Sequence, residues 1–158
     1  MDIRDHVNQL LTTVSEALGL TGGSAYKLDA GDECILALET NLLLMFYLEE
    51  STSSLIINLP VAPLPDGSER VEVLMELMGA NYCWSRTEGG TFGLDERTGF
   101  LCLSYLVALP IEPVEQIKGI VENLVNVVAH WRREIPRLAE PWEESHAPDP
   151  ASFPMLRV

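Results

Sequence analysis

Two runs, LLLMFYL at residues 42–48 and FLCLSYLVAL at 100–109, are apolar at almost every position. A strand sends successive side chains to opposite faces, so a sheet with one solvated face imposes alternation. Here alternation is missing. Leu42, Leu44, Phe46 and Leu48 fall on one side of the first run, and Leu43, Met45 and Tyr47 on the other. In the second run only Ser104 and Tyr105 carry polar atoms. A sheet built from these strands needs cover on both faces, supplied either by the chain's own helices or by another molecule.

Punctuation elsewhere sets the remaining elements. Ile3, Val7, Leu10, Leu11, Val14 and Leu18 form one stripe at helical spacing, with Asp2 and Asp5 at the positive end and Gly19 after the last turn, which predicts a helix over 2–18. Strand candidates follow at 25–29, 33–38, 42–48 and 55–59, the last ending at Pro60. The stretch PVAPLPDGS reads as irregular. Asp66 and Glu69 offer a capping box for a second helix, whose apolar face is Val71, Leu74, Met75 and Met78 and whose stop is Gly79. Residues 91–95 and 100–109 flank ERTG as a hairpin, with Gly99 suited to positive φ. Pro113 opens a long helix carrying Val114, Ile117, Val121, Leu124, Val125, Val128 and Ile135. The order is α-β-β-β-α-β-β-α, an α+β fold with one antiparallel sheet and three helices. It occupies residues 1–136. The Pro-rich stretch 137–158, which includes Trp142 and Phe153, shows no periodicity and reads as a mobile tail.

A chain of 158 residues suits one domain. With 24 acidic against 10 basic residues, it repels nucleic acid and anionic membrane surfaces. No apolar run approaches the roughly 18 residues of a spanning helix, and the N-terminus lacks a targeting pattern. A cytoplasmic protein follows. Cys34, Cys83 and Cys102 have no CxxC spacing and read as reduced, buried and structural. His6, His130 and His146 are scattered, and Asp29, Asp32 and Glu33 lack the alternation of a calcium loop. Gly22-Gly23-Ser24 and Gly89-Gly90 carry no Lys and open no helix, so neither is a phosphate cradle. With no nucleophile, no metal set and no cofactor site, the expectation is a protein that is not an enzyme.

The stretch FGLDERTGFLCLSYLVALPIEPVEQIKGIVENLVNVVAHW, with the element order, the length and the acidity, resembles the class I type III secretion chaperones, the Tir-chaperone family of Gram-negative bacteria. Leu94, Asp95, Gly99, Leu101, Leu103, Leu109, Pro110 and Trp131 carry the likeness, which spans roughly residues 1–135. The resemblance implies a homodimer without a cofactor that binds the N-terminal segment of a secreted effector before export. It assigns the dimer contact to Val71, Leu74, Met75, Met78, Trp84, Phe92 and Leu94. It assigns effector binding to Val7, Leu11, Val14, Tyr26, Leu28, Ile35, Leu43, Met45 and Tyr47, joined by a strand added from the ligand. The same fold and charge also suit a small regulatory adaptor that binds a folded partner.

Overall fold

The computed structural model describes residues 2–22, 25–38 and 41–138. Helix α1 (Ile3–Ala17) begins at Asp2, whose carboxylate accepts the Arg4 N–H. Strands β1 (Glu33–Ala37), β2 (Leu43–Glu49) and β3 (Ser54–Pro63) follow, then α2 (Glu69–Asn81), β4 (Thr91–Asp95), β5 (Phe100–Ala108) and α3 (Gln116–Leu138). The strands form a single antiparallel sheet in the order β1-β2-β3-β5-β4. This is the α+β class and the element order expected.

All three helices contribute to one core with the inner face of the sheet. Val7, Leu10, Leu11 and Val14 of α1, Val73, Leu77 and Ala80 of α2, and Ile117, Val121, Leu124, Val128 and Trp131 of α3 meet Leu36, Leu44, Phe46, Ile57, Leu59 and Leu103. Trp131 is the largest of the enclosed side chains. Its ring stands edge-on to Phe92 at 5.4 Å, and the Arg86 guanidinium lies 5.3 Å from its centroid.

Four local expectations are corrected. Residues 25–29 are not a strand: the Leu28 N–H donates to Asn8 Oδ1 of α1 instead of to a neighbouring strand. The proline-rich stretch does not end β3, which runs on to Pro63. Past Asn58 it pairs only with β5, and its register shifts between Pro60 and Ala62, the edge and bulge setting in which strand proline is tolerated. Arg132 of α3 covers that stretch by donating from Nε to Val61 O and from Nη2 to Pro60 O and Asn41 O. Helix α2 starts after Ser68 without a side-chain cap, while Asp66 pairs with Arg70, and it passes Gly79 to reach Asn81. Finally, α3 begins three residues after Pro113 and carries Pro136 within its last turn. The helix therefore overruns the expected boundary at 136, and the rest of the tail, with Trp142 and Phe153, lies outside the described residues.

Candidate functional site

The two edges of the sheet differ in what their backbone offers. At β1, the Leu48 N–H donates to Asp32 O and the Leu38 N–H to Leu42 O. Those bonds fix the even-numbered residues as the ones paired with β2, so the N–H and C=O of Glu33, Ile35 and Ala37 point outward. Glu33 is already occupied: its N–H reaches Asp29 Oδ1 at 3.1 Å and its C=O accepts from the Asp29 N–H at 2.7 Å. Ile35 and Ala37 keep two donors and two acceptors without partners among the described residues.

Helix α1 holds this edge in place. The Arg4 guanidinium donates to the carbonyls of Leu28 and Asp29 and pairs with the Asp32 carboxylate. Asn8 takes the Leu28 N–H. The turn that delivers Asp29 to Glu33 is therefore fixed to the helix at four points, and β1 ends in a defined stop.

The face of the sheet away from the helices is also apolar. Register places Ile35, Met45, Asn58 and Ser104 in one row across it, with Ala37 beside Leu43 and Pro60 beside Cys102 further along. Leu43, Met45 and Cys102 form a second buried cluster, with Phe100 against it, composed of strand residues only. Ser104 Oγ donates to Asn58 Oδ1 at 2.8 Å, which satisfies the polar pair at its centre. Toward one end this face opens through Tyr47 and Ile56 to Leu106, which is 64% exposed.

Helix α2 is apolar on two sides. Val73, Leu77 and Ala80 enter the core, while Val71, Met75 and Met78 point outward, with Tyr82 one turn further on. Trp84 and Leu94 extend that outer stripe toward β4. Val71, Met75, Met78, Tyr82, Trp84 and Leu94 are thus six large apolar side chains left exposed on α2, the turn after it and β4. The backbone carries the chain sharply from α2 to this surface: Cys83 and Trp84 have φ of +53° and +52°.

The expected site residues separate accordingly. Val7, Leu11, Val14, Leu28, Leu43 and Met45 are buried, as is Phe92; Ile35 is exposed, and Tyr26 and Tyr47 are half-buried. Val71, Met75, Met78, Trp84 and Leu94 are exposed together, with Leu74 half-buried behind them. The apolar face read for α2 is thus its outward face, since the core-facing stripe is Val73, Leu77 and Ala80. Sequence reasoning missed Tyr82 and Leu106, although the spacing 71, 75, 78, 82 carried the first. It also missed Ala37, whose outward backbone groups have no partner among the described residues, and Asn81, whose side-chain amide bonds both the N–H and the C=O of Phe92. Cys83 corrects the expectation of three buried thiols, because it is exposed. Burial pushes the Cys34 thiol up to about 11 and the Cys102 thiol up to about 12, with the charges of Asp29 and Asp95 adding in the same direction. His6 is enclosed and structural, its Nε2 accepting the Ile111 N–H. Among the described residues no three His, Cys, Asp or Glu side chains gather as a metal set, and no helix is long and apolar enough to cross a membrane.

Comparison with known proteins completes the description. No curated protein sequence matches this chain. Among solved structures, the ExsC–ExsE complex is 22% identical, covers 86% of this chain and 98% of that chain, and gives a TM-score of 0.71. The HopA1–SchA chaperone–effector complex is 17% identical over 84% of this chain and 98% of that one, with a TM-score of 0.66. The ExoU–SpcU complex from the type III secretion system of Pseudomonas aeruginosa is 16% identical over the same shares, with a TM-score of 0.58. At these identities the likeness is one of fold. A family model, that of the Tir chaperone protein (CesT) family, matches residues 9–132.

Proposed function

From the premise that the chain belongs to the Tir chaperone protein (CesT) family, we propose that it is a homodimeric, cytoplasmic type III secretion chaperone of a Gram-negative bacterium. It binds the N-terminal segment of one or more effectors and keeps that segment partly unfolded and competent for export. It uses no cofactor and performs no catalysis. The observation that carries the reading is the open β1 edge. An extended segment pairs its backbone with Ile35 and Ala37, and its alternate side chains lie against the apolar sheet faces on either side. Ile35, Tyr47 and Tyr26 contact the segment directly; Val7, Leu11, Val14, Leu28, Leu43 and Met45 form the floor beneath. A net charge of −14 keeps the loaded complex soluble and favours a basic segment.

The outward stripe Val71, Met75, Met78, Trp84 and Leu94, backed by Leu74 and Phe92, is the contact with the second copy, an isologous interface in which each side chain counts twice. One solved structure of this fold is a chaperone–effector complex and another is a heterodimeric complex from a type III secretion system, in keeping with this reading.

Ala37→Pro tests it. Proline removes the outward N–H at an edge position, where no ladder bond is lost, so the fold should persist while the strand acceptor is broken. Retention of co-purified partner by the native chain and its loss by a folded Ala37→Pro variant are the expected results. Full retention by the variant would sink the strand-addition reading.

A further inference from the structure

A segment of the chain itself matches the open β1 edge. That edge offers the backbone groups of Ile35 and Ala37, and pairing stops at Glu33, whose N–H and C=O are held by Asp29. The side chains of Glu33, Ile35 and Ala37 share the outer side of the sheet, where β2 presents Tyr47, Met45 and Leu43 beside them. Residues directly opposite one another in an antiparallel pair share a face. A strand added here is therefore best served by a large apolar residue opposite Ala37, an apolar one opposite Ile35 and a basic one opposite Glu33.

The sequence SFPMLRV at residues 152–158, outside the described residues, carries that pattern. In the antiparallel register that sets Met155 opposite Ile35, Phe153 falls opposite Ala37 and Arg157 opposite Glu33. The small Ala37 leaves room for the ring beside Leu43, and the only Arg or Lys among residues 139–158 comes beside a carboxylate. Pro154 lies between the two hydrogen-bonding residues, so its missing N–H is turned away from β1 to the outer edge, where proline is tolerated and blocks a further strand. A shift by one residue turns Pro154 toward β1 and leaves a carbonyl there without its donor. A shift by two sets Arg157 beside Ile35 or Met155 beside Glu33.

The chain also arrives from the end of β1 that this register requires. Arg132 donates from Nη2 to Asn41 O at 3.3 Å, in the turn that follows Ala37, so α3 passes that end of β1 and reaches Leu138 about 9 Å further on. The 14 residues 139–152 then span at most about 50 Å. The shortest route along the edge from there runs antiparallel to β1, and a tethered strand acts at an effective concentration of about a millimolar.

We propose that residues 153–157 add to β1 as a strand in the free chain and hold the edge until an extended partner segment displaces them, an autoinhibitory contact within one copy. The displacement rests on the strand-addition reading above, and the experiment separates the two. Amide hydrogen exchange is followed by NMR on the full chain. The Ile35 and Ala37 amides of the native chain are expected to exchange about tenfold more slowly than those of Met155→Pro, which removes the N–H that pairs with Ile35, and about threefold more slowly than those of Arg157→Glu. A synthetic peptide of alternating Val and Lys serves as the partner probe. It is expected to protect the same two amides and to bind Met155→Pro about tenfold more tightly than the native chain, because a site that is closed about nine-tenths of the time loses about a factor of ten in apparent affinity. Equal exchange in the native chain and both variants overturns the contact. Protection that persists in the variants and grows with protein concentration also overturns it, marking β1 pairing between two copies instead. Absence of peptide protection in Met155→Pro overturns strand addition by a partner, while the exchange comparison still decides the contact.

Discussion

Met78 is 72% exposed on the outward stripe of α2, and its replacement by glutamate isolates self-association from folding. Fully covering a methionine contributes about 1.5–3 kcal/mol, so covering the exposed seven-tenths contributes about 1–2 kcal/mol per side chain. In an isologous contact the loss occurs in both copies, giving about 2–4 kcal/mol per dimer. That corresponds to a roughly 30- to 700-fold weaker dissociation constant. A carboxylate held at an apolar contact adds its desolvation cost to the loss. The monomer should be little changed, because surface substitutions away from packed features usually stay within about 0.5 kcal/mol. Sedimentation equilibrium across a concentration series reads the constant, and circular dichroism reads the fold. Val73→Ala, on the core stripe of the same helix, is the contrast: it should lower stability of the folded chain first. A Met78→Glu chain that dimerises as tightly as the native one would refute the assignment of this stripe. Loss of folding would show that the stripe is core.

Trp131→Ala removes an enclosed ring together with its contacts to Phe92 and Arg86, and should cost about 3–5 kcal/mol in denaturant unfolding; a loss under 1 kcal/mol would contradict its place at the centre of the core. Arg132→Leu leaves the carbonyls of Pro60, Val61 and Asn41 without their donor, and should lower stability by about 2–3 kcal/mol; an unchanged melting point would show that the cap is not needed. Cys34 and Cys102 have their ionisation raised by burial to about 11 and about 12. Protonated thiols are thus favoured by the folded state. Their contribution is fully present below about pH 9, the unfolded range, and falls as pH rises toward 11–12; a melting temperature that rises over that interval would contradict the shift. Exposed Cys83 should react with a thiol reagent at pH 8 well ahead of the other two, and three equal rates would deny the burial of Cys34 and Cys102.

Strong local signals made much of the fold legible. Residues 91–95 and the start of β5 followed from the hairpin, where Gly99 takes φ +73°, and α1 followed from its stripe and Asp2. The misreadings arose where tertiary pairing overrode local preference. Pro60 and Pro63 look like breakers until β3 is seen to lose one of its two neighbours there. Residues 25–29 alternate as a strand would, yet α1 holds their backbone. For the site, the difficulty was sidedness. Helix α2 carries two apolar stripes, and composition alone does not say which one enters the core. In β2 both faces are apolar, so Leu43 and Met45 read the same as accessible surface, though the outer-face cluster encloses them. The edge chemistry was beyond sequence reading altogether, because the outward parity of Ile35 and Ala37, like the Asn81 clamp on Phe92, depends on the pairing register.

The central claim, that this chain holds an extended effector segment on its β1 edge, is tested most directly by purifying the tagged chain from its native bacterium, trimming the complex with protease, and identifying the surviving partner peptide by mass spectrometry. The expected result is a short protected segment near the N-terminus of one partner, absent when the bait is Ala37→Pro. A protected folded domain, retained equally by both baits, would contradict the claim and mark the chain as an adaptor.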